Sequence, residues 1–443
     1  MSSFVLSSWL CFAVTLVLML TIVYWERWQL VKPSFIFLVF YVVQIQAPSA
    51  VRATEIEELI PNPWLYLLLA HIFPLVVLII GTLWFRHTAN VIFKRAIRTS
   101  SSPTNSNYTI FLLSLISGAI ILFYFYEVPW LTTGLYAIFF NPSETGLARE
   151  ESLKLLESSF VRYSFAFFST VLAPILAILL ASRIWQQLRL RRLDKTVIPC
   201  LLGIIVLLIT VSIYGARGPS AFLLFGIFYC LYLGNRFPFR PMKIIGIIFI
   251  ILTIPALLSI LYNRHEINPL NISSAYTNIL DRVFNRNIDS HIWTVDFTQR
   301  HGVFGVSGVP KIAQLIGKDS IDIFNVIGRY YRPSNPHISA TSSFVFGYYS
   351  CFGLASFIPC LMLIWLLDCS LLIYRKIGAK LLIPCMGAIA MATAKFTFTF
   401  YTTALFSGGF LLVLIFCLLL SVKIRDPKRD NQILPPAIGT TNR

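Results

Sequence analysis

The chain has 443 residues, of which 57% are hydrophobic and only 12% are charged. A soluble protein of this length carries far more charge on its surface, so these proportions exclude a soluble globular fold. The net charge of +17 does not indicate nucleic-acid binding, because the sequence has neither zinc-finger spacing nor a basic stripe with interleaved aromatic residues. The composition predicts an integral membrane protein.

Apolar runs recur along the chain at about the length that crosses a hydrocarbon core of about 30 Å. Several begin or end at tryptophan, which suits an indole ring at headgroup level. The runs are Phe4–Trp25, the shorter Pro33–Gln46, Trp64–Phe85, Thr109–Tyr126, Phe160–Ile184, Val197–Tyr214, Pro219–Leu233, Ile244–Tyr262, Ser342–Tyr374, Leu381–Phe400 and Ala404–Val422. They predict an all-α, polytopic membrane domain over residues 1–443 with about eleven transmembrane helices.

The basic residues predict the orientation, because cytoplasmic loops retain Lys and Arg. Basic clusters at 86–98, 189–195, 236–243, 375–380 and 423–429 fall on one side if every run crosses once. Placing Arg27 and Lys32 on that side as well predicts an outside N-terminus and a cytoplasmic tail over residues 423–443. The first run lacks a basic n-region, so it is interpreted as a retained helix.

This topology predicts a large extracytoplasmic loop over residues 264–341. A loop of that length needs its own secondary structure, and apolar spacing predicts one helix that ends near Gly302 and another that starts at Pro310. Ile312, Leu315 and Ile316 of the second helix are expected to pack against the membrane-embedded body. The eight cysteines are interpreted as small buried side chains rather than as a disulfide framework.

Two candidate catalytic residues lie on the outer side, one in a short turn and the other in this loop. Arg217 stands in the turn Gly215-Ala216-Arg217-Gly218-Pro219, where its guanidinium is placed to bind a phosphate bidentately; an interfacial anchor is the alternative. His337 lies before a membrane helix as a candidate general base or hydrogen-bond donor, with a solvated loop histidine as the alternative. The nearby residues Arg329, Tyr330, Tyr331 and Arg332 are candidates for substrate binding, because aromatic rings stack on sugars while cations bind phosphates.

Further candidate substrate-binding cations are predicted near the outer face. Arg264 ends a membrane helix, and Arg282 and Arg286 share one helical face, where contact with lipid headgroups is the alternative. Lys395 lies in the outer half of an apolar helix and is expected to face a polar cavity, unless it snorkels. His71 and Asp368 are weaker signals of the same kind: His71 is expected to bond a backbone carbonyl, and Asp368 to be solvated at the cytoplasmic end.

Several reaction classes lack their sequence signals. The sequence has no Walker loop, no HExxH, no GxSxG and no Asp-x-Asp motif, so nucleotide hydrolysis, zinc proteolysis and metal-bridged sugar-nucleotide chemistry are not supported. No metal site and no cofactor are predicted. No internal repeat is visible, which weakens an interpretation as a transporter built from inverted halves.

The chain resembles the Wzy-type O-antigen polymerases, a family of bacterial membrane glycosyltransferases. The resemblance rests on the glycine-flanked basic turn in YGARGPSAFLLFGI, on the loop-to-helix passage PHISATSSFVFGYYSCFGLASF and on a late large outer loop. It implies a GT-C-like fold, with Arg217 at the family's basic turn and His337 at the polar position of the junction.

The resemblance also implies a reaction and a location. The implied activity is polymerisation of undecaprenyl-pyrophosphate-linked oligosaccharide units into O-antigen, the polysaccharide of lipopolysaccharide, at the periplasmic face of the bacterial inner membrane. The implied partners are that lipid-linked glycan, the bilayer and a chain-length regulator. The reserve candidates for the general base are Asp289 and Asp296. The alternatives are an O-antigen ligase, a flippase for lipid-linked oligosaccharides and a non-catalytic scaffold.

Overall fold

A computed structural model describes residues 2–99, 107–140, 148, 151–152, 154–189, 195–213, 218–234, 287–333, 340–405 and 409–422, and every regular element within them is helical. Seven helices in these ranges are long and apolar enough to cross a membrane, which supports a polytopic membrane protein. They are Ser3–Trp25 (α1), Pro33–Val51 (α2), Pro63–Leu83 (α3), Tyr108–Glu127 (α4), Ser159–Leu188 (α5), Phe344–Tyr374 (α6) and Tyr401–Leu419 (α7).

Three shorter apolar helices coincide with three more of the predicted runs. They span Val197–Val211 (α8), Pro219–Leu233 (α9) and Leu381–Thr397 (α10). The shorter second run, Pro33–Gln46, is confirmed as a helix and is longer than expected, since it continues to Val51. The predicted run at 244–262 lies outside the described residues.

The two ends of the bundle differ in charge and in the loops they carry. At one end, here called the basic end, Arg95 donates to the backbone carbonyls of Arg375 (3.0 Å) and Ile377 (2.8 Å). At the opposite end, the loop end, Ser2 donates to Glu57, and Asn62 bonds Gln299 of the later segment 287–333. The N-terminus and that later segment therefore lie at the same end, as the predicted topology requires.

Helix α5 forms the centre of the bundle, and α4 lies at its edge. In the most apolar 18-residue stretch of each helix, 72% of the residues are buried in α5 but only 17% in α4. Helices α5, α9 and α10 meet at Gly387, where an added methyl group would overlap Cys230 Sγ and lie 2.7 Å from Ile178 Cδ1. Small residues allow such close backbone approach between membrane helices, so Gly387 permits this packing.

Prolines explain the irregular turns within three of the membrane helices. Each contains one π-helical turn, at Val42–Gln46, Leu68–Ile72 and Phe168–Leu172, and each turn ends two residues before a proline, at Pro48, Pro74 and Pro174. A proline inside a helix removes one N–H donor and clashes with the carbonyl four residues earlier. A widened turn relieves that clash without breaking the helix.

A buried ion pair joins three helices at the basic end. Lys32 Nζ lies 3.3 Å from Asp368 Oδ2, and both side chains are 0% exposed. Ser34 donates from its backbone N (2.9 Å) and its hydroxyl (2.7 Å) to the carboxylate, while Lys32 also donates to the carbonyls of Gly81 and Trp84. The expectation that Asp368 is solvated is wrong, because Lys32 compensates its charge inside the protein.

The segment 287–333 packs on the loop end through three short helices. They span Asn287–His301 (α11), Pro310–Leu315 (α12) and Ile323–Tyr331 (α13). The predicted helix end near Gly302, where φ is 85°, and the predicted start at Pro310 are both confirmed. Ile312 packs against the core as expected, but the prediction is wrong for Leu315 and Ile316, which are 86% and 51% exposed.

Candidate functional site

The candidate site lies at the loop end, where α11 and α13 meet the turn after α2. Asp289 in the first turn of α11 and Arg300 in its last turn complement the helix dipole. Helix α13 starts at Asp322, whose carboxylate accepts from Asn325 N at 3.2 Å. The apolar residues of α13 are buried on one side, which leaves Arg329 and Tyr330 exposed in its last turn.

Two arginines from distant parts of the chain converge on Asp289. Arg52 Nη1 lies 2.7 Å from Asp289 Oδ1, and Arg332 Nη2 lies 3.9 Å from Oδ2. Arg52 also binds Glu55 at 2.5 Å, and this hydrogen bond is the largest cause that raises the pKa of Arg52 and lowers the pKa of Glu55. Arg52 is mostly buried, whereas the Arg332 side chain is 56% exposed, so Arg332 is the guanidinium that can reach a ligand.

Aromatic rings continue this charged cluster. Trp293 and Tyr331 stack with their ring centroids 5.4 Å apart and their planes 6° apart, and the Arg332 guanidinium lies 5.3 Å from the Trp293 centroid. Such a cation–π contact orients a guanidinium, and because a guanidinium is weakly hydrated, little hydration is lost. Phe297 and His301 extend the aromatic surface on α11, and both contact Tyr330, which is 51% exposed.

A second carboxylate anchors the aromatic part of the cluster. Asp296 accepts from the Tyr331 hydroxyl and, at 2.7 Å, from Arg300 Nε. Burial and, to a smaller extent, this carboxylate raise the pKa of Tyr331, so its phenol stays protonated and donates. The Asp296 side chain is 9% exposed and the Asp289 side chain is 24% exposed. The cluster therefore contains one shielded and one more accessible carboxylate.

The structure brings three of the predicted substrate-binding residues into one cluster: Tyr330, Tyr331 and Arg332 lie together with both reserve candidates, Asp289 and Asp296. Arg329 is exposed in the last turn of the same helix. Lys395 instead lies where α10 passes into a 3-10 turn beside α2, next to Thr397, whose hydroxyl donates to Gln44 at 2.9 Å. The remaining predicted residues lie outside the described residues: Arg217, His337, Arg264, Arg282 and Arg286.

Two members of the cluster were not predicted from the sequence. Arg52 was not singled out, although the Arg52–Glu55 spacing on a helix was a visible signal for an ion pair. Trp293 was not singled out because a lone tryptophan in a loop helix is more often a packing residue.

His71 does not have the partner that was expected for it. Its ring is completely buried in α3, and in the described part of the chain neither ring nitrogen has a hydrogen-bond partner. The expected bond to a backbone carbonyl is therefore wrong.

Comparison of the chain with family models, with curated proteins and with solved structures finds no match.

Proposed function

We propose that this protein is a metal-independent membrane glycosyltransferase that joins undecaprenyl-pyrophosphate-linked oligosaccharide repeat units into O-antigen or a related surface polysaccharide. In this proposal the bundle has eleven helices and a GT-C-like fold, and its loop end faces the periplasm of a bacterial inner membrane. The observation that carries the proposal is the cluster of Arg332, Asp289, Trp293 and Tyr331 on the end of an apolar bundle.

The chemistry of that cluster suits a lipid-linked glycan as substrate. The glycan would lie over the loop end while its lipid stays in the bilayer. The aromatic rings of the cluster offer apolar faces to the sugar rings. A half-exposed guanidinium is suited to a pyrophosphate, because a planar fork matches two phosphate oxygens. Arg332 combines both features, since it contacts the ring of Trp293 and is exposed beyond it.

The proposed reaction is a displacement at the anomeric carbon of the donor. A hydroxyl of the acceptor sugar attacks that carbon, the bond from carbon to the pyrophosphate oxygen breaks, and the hydroxyl proton passes to a carboxylate. Asp289 is the more accessible of the two carboxylates and is assigned this role. Arg332 stabilises the charge that develops on the leaving pyrophosphate. As part of the proposal, Arg217 keeps its predicted role at the phosphate, and His337 keeps its predicted role as a hydrogen-bond donor to the acceptor.

The test compares three variants in the native strain: Arg332→Ala, Arg332→Lys and Lys318→Ala. Lys318 is an exposed cation on the same outer segment and serves as the matched control. Surface polysaccharide is resolved on a gel, and the amount of each variant in the membrane is measured by immunoblot. We expect Arg332→Ala to reduce the ladder to a single-repeat band, Arg332→Lys to do so in part, and Lys318→Ala to leave the ladder unchanged.

Two other results would contradict the proposal. An unchanged ladder in Arg332→Ala, at wild-type abundance, would remove the cluster from the reaction. Complete loss of polysaccharide attached to the cell envelope, without a single-repeat band, would instead assign the chain to ligation or to flipping of the lipid-linked glycan.

A further inference from the structure

Exposed apolar side chains gather on the segment from Val303 to Ile321 at the loop end. Val303 is 56% exposed, Leu315 is 86% exposed and Ile316 is 51% exposed. Single exposed leucines are ordinary on protein surfaces, so their exposure alone decides nothing. What matters is where this segment lies relative to the hydrocarbon of the bilayer.

Contacts with α6 fix the depth of the segment. Phe304 N donates to Ser350 O at 2.9 Å, and a methyl group added to Gly353 would lie 3.7 Å from Val303 Cγ1. Residues 303–308 therefore lie beside residues 350–353 of α6. The position of those residues relative to the bilayer follows from counting residues along α6 from its end at Tyr374.

Helix α6 ends at the basic end at Tyr374, next to the carbonyls that bind Arg95. About 20 helical residues cross a core of about 30 Å. With Tyr374 taken as the edge of the hydrocarbon at the basic end, counting back by that number reaches Leu354, in the 3-10 turn Gly353–Ser356. The other edge of the hydrocarbon is then near Gly353 and Leu354. The segment 303–308 is thus seated at the boundary between the acyl chains and the headgroups.

The outward surface of α6 at this level is already apolar. Phe352, Leu354, Ile358 and Met362 are 37%, 50%, 67% and 58% exposed, as expected of side chains that face lipid. Val303 extends this lipid-facing surface sideways, because it is placed beside Gly353, and Leu315 and Ile316 are exposed farther along the same segment. Continuity with a lipid-facing helix favours lipid as the occupant.

We propose that the segment 303–321 rests on the leaflet at the loop end and inserts Leu315 and Ile316 among its acyl chains. Lys311 and Lys318 are exposed beside them and reach the phosphates, as lysines do at membrane interfaces. Asp319 and Asp322 offset their charge, so the apolar side chains drive insertion, and anionic headgroups are not required. This lipid contact is independent of the proposed reaction.

The test uses a nitroxide spin label at position 315. Leu315→Cys is made in a full-length chain whose eight native cysteines are replaced by alanine, and the protein is reconstituted into vesicles of phosphatidylethanolamine and phosphatidylglycerol. Collision rates of the label with oxygen, which concentrates in acyl chains, and with a water-soluble nickel chelate are measured. Ser320→Cys on the same segment is the solvent-exposed control, and Ile358→Cys on α6 is the lipid-facing reference.

We expect the label at 315 to lose nickel accessibility relative to 320 and to match the oxygen accessibility at 358. The same readings are expected in vesicles without phosphatidylglycerol and at high salt. Nickel accessibility at 315 equal to that at 320, with 358 still protected, would overturn the proposal. Protection that requires anionic lipid, or spin–spin broadening that disappears on dilution with unlabelled protein, would also overturn it, the latter by assigning the surface to a second copy.

Discussion

Removing one partner of the buried pair Lys32–Asp368 is expected to destabilise the bundle strongly. Both side chains are 0% exposed and 3.3 Å apart, so Lys32→Met leaves a carboxylate inside the protein without its counter-charge. Ser34 still donates two hydrogen bonds to that carboxylate, but these do not neutralise it. Breaking a buried pair in this way costs about 3–5 kcal/mol.

The double variant Lys32→Met/Asp368→Leu separates the charge effect from the loss of packing. It removes both charges, and replacement of a buried pair by apolar residues is often close to neutral. We therefore expect it to recover most of the stability that Lys32→Met alone loses. A matched control exists at the same end, where Arg86 and Glu26 form a pair whose side chains are 63% and 26% exposed. Glu26→Gln is expected to cost about 0–1 kcal/mol.

The free energy of unfolding is measured by titrating each purified variant with SDS in mixed micelles. A Lys32→Met variant as stable as the wild type would contradict this expectation, since the pair would then contribute nothing that the Ser34 donors do not supply. A double variant less stable than the single one would also contradict it, because apolar replacement would then be worse than an uncompensated charge.

Two further predictions concern packing and pH. Gly387→Ala is expected to lower the free energy of unfolding by about 1–3 kcal/mol, because its methyl group would overlap neighbouring side chains. The control Gly118→Ala, which has open space around it, should leave stability unchanged or raise it; equal effects of the two changes would refute the packing argument. Glu55→Gln should reduce stability slightly at pH 7, because Arg52 lowers the pKa of a carboxylate that is about half exposed. That stabilisation is complete above the ordinary Glu pKa and disappears as pH falls through the lowered pKa. The difference in stability between the variant and the wild type, measured by thermal unfolding, should therefore vanish in strong acid. A difference that persists there would have another origin.

Part of the candidate site could be predicted from residue type and position alone. Arginines and tyrosines just before a membrane helix are unusual enough to single out Arg329, Tyr330, Tyr331 and Arg332. Their partners could not be predicted, because Arg52 and Asp289 are 237 residues apart in sequence. Contacts of that kind depend on how helices from the two parts of the chain pack, and no local pattern encodes that packing.

The sequence pattern gave a wrong prediction for two apolar side chains of the outer segment. Leu315 and Ile316 were expected to pack inward because apolar residues at helical spacing usually do. The helix that carries them ends at Leu315, so only Ile312 reaches the core, and the two later residues point away. A six-residue helix has too few turns for spacing to indicate which face is covered.

The membrane class, most of the helices and the relation between the two ends of the bundle follow from the amino-acid sequence alone. These features depend on local quantities: the length of each apolar run against the thickness of the bilayer, and the side on which basic residues gather. Which polar groups meet depends on how the helices pack: Lys32 pairs with Asp368 inside the basic end, and Arg52 and Arg332 pair with Asp289 at the loop end. Charges that are costly alone in an apolar interior become acceptable only as pairs, and pairing is a property of the packed helices rather than of any one segment.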